Sequence, residues 1–85
     1  MFINKSNGGK NNICGPQIAK YRKEMRKSQR QLAEMLQLAG LDVDKNAIQR
    51  IEAGKRFVTD IELVYFARVL GKRLEELLAE QHMDR

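Results

Sequence analysis

The strongest constraint in this 85-residue chain is its punctuation. Apolar residues recur at spacings of three and four, and the runs are bracketed by residues that start and stop helices. Leu63, Phe66, Ala67 and Leu70 form one such stripe, opened by the capping box Thr59-Asp60-Ile61-Glu62 and closed by Gly71. Ser28-Gln29-Arg30-Gln31 is another capping box: the serine hydroxyl can take the N–H three residues on, and Gln31 can reach back. Leu32, Ala33 and Leu36 follow as the inner stripe of a helix running to Leu38 or Ala39, and Gly40 suits its stop. Gly15-Pro16 opens an earlier helix over 16–27 that carries Ile18, Tyr21 and Met25, since proline at the first helical position gives up an N–H that would have no partner there. Asp44 caps a helix over 45–53, with Ile48 and Ile51 inward, Val43 placed to staple onto Ile48, and Gly54 at its end. A short last helix carries Leu74, Leu77 and Leu78 as core residues. No stretch alternates with period two, so the expected fold is all-α with five helices.

Length and composition narrow the class of function. A chain this short makes one domain. A flexible N-terminal arm is expected over 1–14, its first twelve residues polar and rich in Gly and Asn, followed by an ordered domain over 15–82. A content of 42% hydrophobic and 32% charged residues fits a soluble globular chain. No apolar run approaches the ~20 residues a membrane span needs, and the start lacks the apolar stretch of a secretory signal, so the expected location is the cytoplasm. Cys14 is the single cysteine, which excludes an intramolecular disulfide and a cysteine-built zinc site. It reads as a small hydrophobe or as a redox switch at the hinge between arm and first helix. His82 is the single histidine, and no Ser/His/Asp set, paired acidic motif or Gly-rich phosphate loop is present. Neither catalysis nor a metal or cofactor is therefore expected.

Charge is unevenly placed. Residues 1–56 hold 12 Lys/Arg against 5 Asp/Glu, whereas 57–85 hold 4 against 6. A basic region of this kind implies a polyanionic partner, with nucleic acid the first choice. No helix sets a basic face against a Trp/Phe-rich one, which argues against a membrane surface. In the helix over 45–53, at about 100° per residue, Asn46, Gln49, Arg50 and Ala53 point away from Ile48 and Ile51, with Lys45 on the flank. That outward face bears no carboxylate. Asn and Gln can pair with adenine edges, and Arg or Lys with guanine, although an ordinary solvated face would look the same in isolation. Two short helices joined through a Gly-containing turn, inside a small basic all-α domain, give the outline of a helix-turn-helix.

Gln29-Arg30-Gln31-Leu32-Ala33-Glu34 and Ile48-Gln49-Arg50-Ile51-Glu52-Ala53-Gly54-Lys55-Arg56 resemble the phage-repressor (Cro-type, xenobiotic-response-element) helix-turn-helix family. The resemblance implies a five-helix regulator of transcription, a repressor in the first instance, that binds a palindromic site in double-stranded DNA as a homodimer. It implies base reading by Lys45, Asn46 and Arg50, and Gln49, on the same face, is expected to join them, with a backbone contact as the alternative for Asn46 and Gln49. It implies phosphate contacts by Gln29, Arg30, Lys55 and Arg56, and an ion pair of Arg22 with Glu52, with a phosphate contact as the alternative for Arg22. Leu74, Leu77, Leu78, Val69 and Met83 are candidates for the dimer contact. The other functional reading is an antitoxin-like module that masks a partner protein, with the arm as its grip, and autoregulates its operon. One departure from the family pattern stands out: residues 37–43 make a long connection between the second and third helices. Leu38, Leu41 and Val43 are expected to lengthen the second helix and pack that turn.

Overall fold

The computed structural model describes residues 9–79, which form five α-helices: α1 (Gly15–Glu24), α2 (Gln29–Ala39), α3 (Lys45–Glu52), α4 (Asp60–Leu70) and α5 (Leu74–Leu78). There is no strand among the described residues, and none of the helices is long and apolar enough to cross a membrane. The caps sit where the local sequence places them. Ser28 Oγ accepts the Gln31 N–H at 3.0 Å and Gln31 Oε1 accepts the Ser28 N–H at 2.8 Å. Thr59 and Glu62 make the same reciprocal pair at 3.1 and 3.0 Å, and Asp44 Oδ1 accepts the Ala47 N–H at 2.8 Å. Each bond satisfies a backbone group that the first turn of a helix leaves without a partner. Gly40 and Gly71 close α2 and α4 in the left-handed conformation.

The inward stripes converge on one core. Ile18, Leu32, Leu36, Ile48, Ile51, Phe66 and Leu77 are completely buried, one or two from each helix, and Cys14, Ala33, Val43, Ala67 and Leu70 complete the cluster. At roughly 1.5–3 kcal/mol for each large side chain buried, this cluster is the main favourable term in folding. Val43 and Ile48 are both in it, which seats the start of α3 against the core. Gly15 is a point of closest approach: a Cβ there would fall onto the Ile51 carbonyl oxygen, so only glycine lets α1 start this close to the end of α3. Burial also pushes the Cys14 thiol up to about 11, which leaves it un-ionised and inert at neutral pH. In the first turn of α1, the buried Gln17 donates to the Ala79 carbonyl at 2.9 Å and fastens the chain beyond α5.

Several expectations need correcting. The first helix ends at Glu24 rather than at 27. Arg26 takes a left-handed backbone with φ 60°, Lys27 N–H returns to the Arg22 carbonyl at 3.2 Å, and the chain turns in time for Ser28 to cap α2. Leu38 does not pack the long turn: it is 90% exposed, because it lies two residues, or about 200°, from the buried Leu36. The turn is instead closed by Val43 in the core, by the half-buried Leu41, and by Gln37 Nε2 donating to the Val43 carbonyl at 2.6 Å. In α5 only Leu77 is core; Leu74 and Leu78 share the outer face. Of the residues read as arm, Lys10, Asn11 and Asn12 bond the end of α3 and the turn beyond it, and Cys14 is buried. Residues 1–8, together with 80–82, His82 and Met83, lie outside the described residues.

Arg26 is the one non-glycine residue with positive φ among the described residues. The left-handed region costs a side-chain-bearing residue roughly 1–2 kcal/mol, and part of that gain is offset by glycine's greater freedom in the unfolded chain. Arg26→Gly is therefore expected to raise unfolding stability by about 0.5–1 kcal/mol, measured as a higher urea midpoint at unchanged m-value. A lower midpoint would contradict this account of the α1–α2 turn.

Candidate nucleic-acid interface

α3 is held from beneath and left open above. Beneath, Ile48 and Ile51 are fully buried. Behind its last turn, Glu52 takes a forked pair of bonds from Arg22, Nε to Oε2 at 2.7 Å and Nη2 to Oε1 at 3.0 Å. The pair is nearly dry, with side chains 10% and 8% exposed. The remaining Arg22 nitrogen, Nη1, donates to the Lys27 carbonyl at 2.8 Å, so the guanidinium spans α1, the α1–α2 turn and α3. Hydrogen bonding to Glu52 raises the Arg22 pKa above its already high value, so its charge is permanent. A planar, always-charged fork suits such a site; a lysine would fill only part of it.

Above, Lys45, Asn46, Gln49 and Arg50 are all exposed. Among the described residues none of these four side chains has a hydrogen-bond or ion-pair partner. Asn46, Gln49, Arg50, Ala53 and Lys55 line a concave surface. It therefore brings together two amides, a guanidinium and an ammonium with no carboxylate between them, and Lys45 flanks it at the start of the helix. Such a surface is an acceptor-seeking array matched to base edges and phosphates.

The four residues named for phosphate contact are placed differently from one another. Arg30 and Lys55 are exposed, with no side-chain partner among the described residues. Gln29 is half-buried at the start of α2 and donates through Nε2 to Glu52 Oε1 at 2.9 Å, which makes it a third member of the Arg22–Glu52 group. Its side-chain oxygen points to no described donor. Arg56 is folded back on α4: its Nη2 lies 3.1 Å from Glu62 Oε2 and its Nη1 donates to Glu62 Oε1 at 3.3 Å. Glu62 thus serves Arg56 and the Thr59 cap at once. Partial burial works to raise its pKa, but the bonds from Arg56 and from the Thr59 backbone outweigh that and hold it below the usual carboxylate value.

Sequence reasoning missed a further set of contacts at the end of α3. Asn12 Nδ2 donates to the Ile51 and Arg56 carbonyls at 3.1 and 2.7 Å, while its Oδ1 accepts the Gly15 N–H at 2.8 Å. Asn11 donates its backbone N–H to the Gly54 carbonyl at 2.8 Å and its side chain to the Lys55 carbonyl at 3.0 Å. The only available sign was a pair of asparagines before Gly15-Pro16, which reads equally well as arm.

A family model described as helix-turn-helix matches residues 18–77. The fold is also similar to the crystal structure of the restriction-modification controller protein C.AhdI from Aeromonas hydrophila, with a TM-score of 0.66 at 23% sequence identity over 75% of this chain and 86% of that one. No curated protein matches the chain.

Two stability measurements check this geometry. Glu52→Ala strands the Arg22 charge and Arg22→Ala strands the Glu52 charge, so each is expected to cost about 3–5 kcal/mol; wild-type urea curves for both would mean the pair is exposed in solution. Because the folded Glu62 carboxyl sits below its ordinary value of 4.5, its contribution is complete above that pH. It is lost as pH falls through the lower folded-state value. Denaturation midpoints followed downward from pH 6 should therefore drop more steeply for wild type than for Glu62→Gln. Parallel curves would remove Glu62 from the acid response.

Proposed function

The chain belongs to the Cro/C1-type (XRE) helix-turn-helix family and is a DNA-binding transcriptional regulator; on that premise we propose that it is a repressor that binds a palindromic operator as a homodimer in the cytoplasm. The observation that carries this reading is the outward face of α3. It is exposed, cationic and amide-bearing, its side chains have no described partner, and the helix beneath it is fastened by core and ion pair. A helix presented this way can enter the major groove without rearranging its own fold.

In the proposed complex, Lys45, Asn46, Gln49 and Arg50 meet base edges. Arg30 and Lys55 take phosphates on either side, and Gln29 can join them through its side-chain oxygen only by accepting from a bridging water, since its amide nitrogen is turned to Glu52. Arg56 reaches a phosphate only if it shares its charge between that group and Glu62. Of the residues considered for the dimer contact, Leu77 is in the core, whereas Leu74 and Leu78 remain exposed on α5. Phe57, with Ile61 and Val64 on one side of α4, adds exposed apolar surface that suits a second copy. A two-fold dimer would set its reading helices about 34 Å apart, one turn of duplex. Against the antitoxin-like reading, residues 10–12 of the arm it would use as a grip are bonded to the end of α3 and the turn beyond it.

Selection of bound sites from random duplex DNA tests the proposal directly, and enrichment of no sequence would overturn it. On the selected site, Arg50→Ala is expected to cost about 1–3 kcal/mol per half-site and to relax preference at one base pair. Lys55→Ala should weaken selected and scrambled duplexes alike and lower the salt slope by about one per half-site. Equal weakening of both duplexes by Arg50→Ala would take base reading away from Arg50.

A further inference from the structure

The segment before α1 carries a cation to the edge of the concave surface. Lys10 is exposed and donates from Nζ to the Ala53 carbonyl at 3.2 Å. Ala53 lines that surface together with Asn46, Gln49, Arg50 and Lys55. The aliphatic stem of Lys10 crosses Gly54, which has φ +78°; a Cβ on Gly54 would lie 2.6 Å from Lys10 Cδ, so glycine opens the path the stem follows. The neighbouring residues are fastened far more firmly than an arm requires. Asn11 and Asn12 together bond the carbonyls of Ile51, Gly54, Lys55 and Arg56. Those carbonyls form the end of α3 and the turn beyond it, so the segment has one defined position relative to the reading helix.

The bond to Ala53 uses one of three ammonium donors. In an exposed setting it contributes little to stability, and it leaves two donors and the full charge for a ligand. A helix that meets base edges with its N-terminal residues leaves its C-terminal end at the flank of the groove, where phosphates run. Lys10 and Lys55 stand at that end.

We propose that residues 10–12 are a second DNA-contacting element, in which Lys10 takes a backbone phosphate at the flank of the groove and Asn12 is the positioning residue that holds it there. The inference rests on the DNA-binding reading of α3 and adds to it a contact from a segment 43 residues away in sequence. The contact is sequence-independent, because phosphates carry no base information.

The experiment measures binding of the full chain to the selected and a scrambled duplex by fluorescence anisotropy across a salt series, with thermal melts of each variant. Lys10→Ala is expected to keep the wild-type melt, and per half-site to weaken both duplexes roughly threefold to tenfold at about 0.1 M salt and to lower the salt slope by about 0.9. Lys10→Arg should restore the slope. Asn12→Ala should lower the slope by the same amount, and the double variant Lys10→Ala with Asn12→Ala should lower it no further. A purely structural Asn12 would lower the melt and leave the slope alone, which would overturn its positioning role. A wild-type slope for Lys10→Ala, in a protein that still binds the selected site, would overturn the proposal while leaving the function of α3 intact. Failure of the wild-type chain to bind any duplex would overturn both.

Discussion

One carboxylate organises the helix-turn-helix. Glu52 receives Arg22 from α1 on both oxygens and Gln29 from α2 on one of them, so three helices are referred to a single group at the end of α3. The core alone would not do this. Apolar burial is non-directional, and Ile48 and Ile51 would tolerate small rotations of α3 about its axis. A forked ion pair with a tenth or less of each side chain exposed does not tolerate them, because a displaced charge there has little water and no partner. The pair thus contributes orientation as well as stability, and orientation is what a reading helix requires.

The rest of the clamp works at the same helix end. Gly15 brings α1 against the Ile51 carbonyl, and Asn11 and Asn12 bond the carbonyls of Ile51 and of the turn after α3. An eight-residue helix has little stability of its own. Here its start is capped by Asp44, its underside is buried, and its end is bonded by side chains from two other parts of the chain.

What could be read from the sequence is what depends on neighbours in sequence. The caps at Ser28, Asp44 and Thr59, the closing glycines and the apolar stripes are set by spacings of a few residues, and the five helices follow from them. Arg26 was not legible, because arginine has no preference for a left-handed backbone; it adopts one where the α1–α2 turn demands it. Leu38, Leu74 and Leu78 show the limit of counting apolar residues: each is apolar, yet its angle on the helix faces water. Around the interface, the outward projection of Lys45, Asn46, Gln49 and Arg50 followed from helix geometry. Arg56, Gln29, Lys10, Asn11 and Asn12 did not, because their partners lie on other elements or in the backbone. A side chain reaching a carbonyl some forty residues away leaves no periodic trace.

The same division between held and open surfaces has a consequence for how such a molecule can change. The side chains of Lys45, Asn46, Gln49 and Arg50 support nothing within the described fold. Exchanging them should disturb folding by no more than the few tenths of a kcal/mol typical of unengaged surface positions. Glu52, Arg22, Gly15 and the buried isoleucines have no such latitude. Drift can therefore proceed at the four outward positions at almost no risk to the fold, and the surface they form is free to diverge on an unaltered frame.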